Sequence, residues 1–67
     1  MDNLTFGERL REMREFRGMT QKELSEKSGV FQIAISKYER GDNAPTITTL
    51  EWLVKALDTT ATELLGF

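Results

Sequence analysis

Cysteine and histidine are both missing from this chain of 67 residues. Without them there is no disulfide staple, no zinc site of the usual Cys/His kind, and little scope for histidine-based acid–base catalysis. Long apolar runs are missing too, and none approaches the ~20 residues that a membrane helix needs. The N-terminal stretch MDNLTFGER has neither the basic start nor the apolar body of a signal peptide. There is no phosphate-cradling glycine loop, and Glu12 and Glu15 stand among arginines as solvated ion pairs rather than as a catalytic couple. These absences lead us to expect one soluble, cytoplasmic domain over residues 1–67, with no cofactor, no metal and no enzymatic role.

An excess of positive charge is also lacking, since the net charge is −2. The total argues against a nucleic-acid partner, but its distribution is uneven. Residues 1–40 hold eight Lys/Arg against seven Asp/Glu, a net of +1, whereas residues 41–67 hold one Lys against four acids, a net of −3. Any basic surface belongs to the first part. A chain of this length buries only about 60% of the surface its unfolded form exposes, so the core must be efficient.

What is present is a series of helix starts. In the pattern Ser/Thr-x-x-Glu, the hydroxyl accepts from a free backbone N–H while the glutamate reaches back to the cap residue's own N–H. It occurs at Thr5 with Glu8, Thr20 with Glu23, Thr48 with Glu51, and Thr60 with Glu63. Gly18, Gly29, Gly41 and Asp58 supply the stops. Helices are therefore expected at 6–17, 21–28, 31–40, 49–57 and 61–65, with Pro45 in the loop GDNAPTIT. No stretch alternates as a half-buried strand does. The expected core draws on Phe6, Leu10, Met13, Leu24, Leu50, Leu53, Val54, Leu57, Leu64 and Leu65, with Met19, Val30 and Ile47 at the turns.

The third helix has two faces. Positions i, i+3, i+4 and i+7 share a side, so Phe31, Ala34, Ile35 and Tyr38 form an apolar stripe directed inward. Gln32, Ile33, Ser36, Lys37 and Arg40 fall on the other side. By itself this is equally a solvated face with one stray isoleucine, since scattered surface apolar residues are common. Two short helices joined through Gly29-Val30, however, form a helix-turn-helix over 20–39, and Ser25 is small where the two backbones would cross.

The stretch TQKELSEKSGVFQIAISKYERG resembles the helix-turn-helix of the lambda-repressor-like family of Cro and phage-repressor DNA-binding domains. Thr20-Gln21, Glu23-Leu24, Gly29, Ile35-Ser36, Glu39 and Gly41 fall in register, and the likeness runs through nearly the whole chain. It implies an all-α, compact five-helix domain whose third helix enters the major groove of double-stranded DNA. Gln32 would pair with adenine and Ile33 would pack on a thymine methyl. Ser36 and Lys37 would meet further bases, with Arg40 on the same outer side. Gln21 would clamp a phosphate at the start of the second helix, Asn43 would donate to another, and Arg14 with Glu39 would form a structural ion pair.

Two departures from the family stand out. Phe31 replaces the usual Ser or Thr cap, a loss worth about 0.5–2 kcal/mol elsewhere, and its ring is expected to offset this by being buried. Asp42 and Asn43 stand where basic residues often hold the DNA backbone, and Asp42 would repel a phosphate. Trp52 either packs against the last helix or, with Phe67, serves as a dimer contact. The expected function is sequence-specific transcriptional regulation, as a repressor, by a homodimer on a palindromic operator. The alternative is an antitoxin-like protein whose main role is to hold a partner protein, with DNA binding secondary.

Overall fold

A computed structural model describes residues 4–66, and Phe67 lies outside them. Five helices follow one another: α1 (Phe6–Phe16), α2 (Gln21–Ser28), α3 (Gln32–Arg40), α4 (Ile47–Ala56) and α5 (Ala61–Leu65). No strand occurs among the described residues.

Threonine hydroxyls start four of the five helices. Thr5 and Thr20 close full reciprocal boxes: each Oγ1 accepts from the N–H of Glu8 or Glu23, whose carboxylate accepts from the threonine N–H. Thr60 accepts from the Glu63 N–H at 3.1 Å, but the Glu63 carboxylate turns to the Thr59 hydroxyl instead. The expected box at Thr48 and Glu51 is replaced by a cap two residues earlier. Thr46, directly after Pro45, accepts from the Thr49 N–H at 3.3 Å, and α4 gains Ile47 and Thr48. The hydroxyls of Thr46 and Thr49 are paired at 3.2 Å, because no acid stands at the third position to complete a box.

Gly29, at φ 81°, turns the chain out of α2 in a conformation that an L side chain resists. Two serines then lock the next residue. The Ser25 hydroxyl donates to the Val30 carbonyl at 2.6 Å, and the Val30 N–H donates to Ser28 Oγ at 3.1 Å. Asp58, at φ 52°, makes the comparable turn after α4 and is the only non-glycine residue with positive φ among those described.

Leu10, Leu24, Val30, Ile35, Tyr38, Leu53, Ala56, Leu57 and Leu64 form the core, with Phe6, Met13, Met19, Ala34, Leu50 and Val54 packed around it. Phe6 meets Tyr38 edge to face, with centroids 6.5 Å apart. Gly7 lets α1 lie directly on the end of α3: a Cβ there would collide with the Tyr38 carbonyl oxygen and stand 2.9 Å from that of Glu39. Arg17 ties α1 to the far end of α4 by donating to the carbonyls of Leu57 and Asp58 at 2.8 and 2.9 Å.

Three residues expected inside are outside. Phe31 is 81% exposed. It precedes the first helical residue, at φ −58° and ψ 138°, so the spacing rule that placed it over Ile35 does not apply to it. Ile47 is 76% exposed because burial falls off towards the start of α4: Leu57 and Leu53 are fully covered and Leu50 only partly. Leu65, in the last turn of α5, is also exposed, while Leu64 is covered.

Candidate nucleic-acid interface

Within the helix-turn-helix, α3 is held from behind and left open in front. Ile35, Tyr38 and Glu39 are buried, whereas Gln32, Ile33 and Arg40 are exposed and Ser36 and Lys37 half-buried. Residues 32, 36 and 40 succeed one another at helical spacing, with 33 and 37 beside them.

Glu39 is the electrostatic centre of the support. Its Oε2 accepts from Arg14 Nε at 2.7 Å and its Oε1 from Arg14 Nη2 at 3.0 Å, a bidentate fork. Gln21 Nε2 donates to the same Oε1 at 3.1 Å, and Arg14 Nη1 reaches the Met19 carbonyl at 2.9 Å. One buried carboxylate thus joins α1, the turn after it, the start of α2 and α3. The hydrogen bonds to Glu39 raise the Arg14 pKa above its ordinary value, outweighing the opposing effect of burial. No buried side-chain polar atom lacks a partner among the described residues.

In front of this support lies an open groove of about 380 Å³, lined by Arg11, Arg14, Glu15, Gln21, Ser36, Glu39 and Arg40. Three arginines face two glutamates there, one of them already bound to Arg14. Arg40 is held at the groove's edge: Nη1 donates to Ser36 Oγ at 2.6 Å and Nε to Asp42 Oδ2 at 3.0 Å. Ser36 therefore has one lone pair occupied, and its own hydroxyl hydrogen is directed away from the guanidinium, as a donor. Asp42 is engaged with Arg40 rather than standing as an isolated repulsive charge.

The structure brings Arg14, Gln21, Ser36, Glu39 and Arg40 to one groove and sets Gln32, Ile33 and Lys37 on the outer side of α3. Asn43 stands exposed in the loop after α3 and is not among the residues lining the groove. Trp52, on α4, is 49% exposed and also lies outside it. Arg11 was not singled out from the sequence, although it lies one turn before Arg14 on α1, and that spacing is the signal that would have found it.

A family model described as helix-turn-helix matches residues 10–64. The chain belongs to the lambda-repressor-like helix-turn-helix family. Among curated relatives it is similar to the HTH-type transcriptional regulator DicA of Escherichia coli, at 38% identity over 63 residues, covering 94% of this chain and 47% of DicA. It is also similar to the HTH-type transcriptional activator BcrR of Enterococcus faecalis, at 36% identity over 63 residues, covering 94% of this chain and 31% of BcrR. The chain thus spans a third to a half of the length of these two relatives. Among solved structures, the P22 c2 repressor in complex with a synthetic operator superposes with a TM-score of 0.87 at 35% identity, covering 94% of this chain and 96% of that one. The helix-turn-helix family is one of DNA-binding transcriptional regulators.

Proposed function

We propose that this helix-turn-helix domain regulates transcription as a repressor, binding a palindromic operator as a homodimer and reading the major groove with α3. The observation that carries the reading is the open outer side of α3, whose supporting side is fixed in the core and in the Arg14–Glu39–Gln21 cluster. Gln32 has the donor and acceptor that adenine's major-groove edge requires, and Ile33 suits a thymine methyl. Ser36 donates and Lys37 brings a cation one turn further on. Gln21, Arg11 and Arg40 border a groove suited to the phosphate backbone, with Arg14 behind them and Asn43 as a further donor on the loop. Base contacts then set the sequence, and the groove sets position.

The domain acts by binding, not by catalysis, in the cytoplasm where it meets its operator. A helix-turn-helix dimer meets half-sites about 34 Å apart, and half-exposed Trp52 is the candidate contact between the two copies. A role for Phe67 in that contact lies outside the described residues.

Selection of bound duplexes from a random pool at two salt concentrations tests the reading. Enrichment of a symmetric motif with fixed half-site spacing is the expected result, and recovery of no motif would refute it. The antitoxin-like alternative draws on exposed Ile47 and Trp52, both on α4 and off the groove. A stoichiometric complex with a neighbouring gene's product, formed through α4, would favour it.

A further inference from the structure

The start of α3 has no side-chain cap, since Phe31 makes no such hydrogen bond to the helix. Its hold comes from the turn before it. Val30 is 5% exposed, and among the described residues no backbone group pairs with its N–H or its carbonyl. Two serine side chains of α2 do so instead. Ser25 donates to the Val30 carbonyl at 2.6 Å, and Ser28 Oγ accepts from the Val30 N–H at 3.1 Å. Burial of Val30 and Ile35 draws this end of α3 into the core, but apolar contact has no direction and hydrogen bonds do. The other end is anchored separately. Gly7 rests on the carbonyls of Tyr38 and Glu39, and the Arg14 fork grips the Glu39 carboxylate.

We propose that Ser25 and Ser28 are positioning residues for base recognition, which aim the first turn of α3 through Val30. The inference rests on the DNA-binding reading above. Two anchors, at Val30 and at Glu39, define the line of the helix. Without the Ser25 hydroxyl the Val30 carbonyl must turn towards water, because leaving it buried and unpaired is costly, and α3 is then free to pivot about Glu39. From Glu39 to Gln32 the rise is about 10 Å, so a tilt of ~10° shifts Gln32 by about 2 Å. Lys37 is ~3 Å along the axis from the same anchor and moves by only about 0.5 Å. A base hydrogen bond confined to about 2.7–3.2 Å does not survive the first displacement and is only weakened by the second. The loss of discrimination is therefore graded along α3, greatest at its start.

The test uses the duplex selected by the natural chain and its single base-pair variants. Gln32→Ala and Lys37→Ala first identify the base pair whose discrimination each side chain carries. Dissociation constants are then measured well below the melting temperature for the natural chain, Ser25→Ala, Ser28→Ala and Ser28→Thr. Ser25→Ala and Ser28→Ala should lose about tenfold in discrimination at the Gln32 base pair and less than about twofold at the Lys37 base pair. Affinity for a scrambled duplex and its salt slope should stay as in the natural chain, since the phosphate contacts are untouched. Ser28→Thr keeps the hydroxyl and should read both base pairs as the natural chain does. If Ser25→Ala does not fold, the two Ser28 variants decide the matter. A lowered melting temperature with discrimination unchanged would overturn the inference, making the serines merely structural, and so would an equal loss at both base pairs. Either result leaves the DNA-binding reading standing, whereas a natural chain that selects no duplex refutes both.

Discussion

Replacing Asp42 by asparagine tests how Arg40 is held before its proposed contact with DNA. In the free protein the Arg40 guanidinium bridges Asp42 Oδ2 at 3.0 Å and Ser36 Oγ at 2.6 Å. Both members of the ion pair are 57% exposed, so water and salt screen it strongly. Exposed pairs of this kind are worth about 0.2–1 kcal/mol. A phosphate recruiting Arg40 must displace Asp42 and then tolerate its charge nearby. Removing that charge should therefore tighten binding by up to about 1 kcal/mol, or roughly fivefold. If the freed guanidinium gains one phosphate contact, the slope of log affinity against log salt should steepen by about 0.9. Fluorescence anisotropy between 50 and 200 mM salt, a range in which several contacts shift affinity by about three orders of magnitude or more, has the needed resolution. Arg40→Ala and the double variant complete the cycle. If Asp42→Asn tightens binding as much without Arg40 as with it, the carboxylate acts by simple repulsion and the proposed coupling is refuted.

Three other outcomes can be measured. Gln32→Ala should cost about 1–3 kcal/mol on the selected operator and relax preference at a single base pair, and an equal loss on all duplexes in a binding-site competition would instead make Gln32 a backbone contact. Glu39→Gln leaves the Arg14 guanidinium, whose side chain is 11% exposed, without its counter-charge. Urea unfolding should show a loss of about 3–5 kcal/mol, and a change within 1 kcal/mol would mean the cluster is not held by charge. With no histidine or cysteine, thermal stability should be flat from about pH 6 to 9. The Glu23 carboxyl is held below its ordinary pKa by hydrogen bonds from Thr20, so its contribution is present above the ordinary carboxylate range and lost as pH falls through the lowered pKa. The fall in melting temperature across that acid range should therefore be shallower for Glu23→Gln.

Most of the fold was legible because helix starts are local. Thr5, Thr20 and Thr60 each meet a partner three residues on, and no distant contact is needed to recognise them. The start of α4 was misread because TITT offers several threonines, and Thr46 has Thr49 rather than an acid three residues on to mark it as the cap. Errors of burial gathered at element ends, at Phe31, Ile47 and Leu65, where periodicity no longer decides which way a side chain points. On the site, the outer residues of α3 follow from spacing alone. The Arg40 bridge to Ser36 and Asp42 does not, because it depends on a side chain folding back over the end of its own helix. Arg11 was hidden by its company, since it stands among glutamates and reads as one more solvated charge.

The bare Cα of Gly7 has a consequence for how this domain could change its target. Main chain rests on main chain where α1 crosses the last turn of α3, so the tilt of that helix is set without reference to its outward side chains. On the proposed reading, positions 32, 33, 36 and 37 could then be exchanged like type in a fixed frame, altering the message read but not the angle of approach. A methyl group at position 7 would do the reverse, moving the frame and misaligning every letter at once.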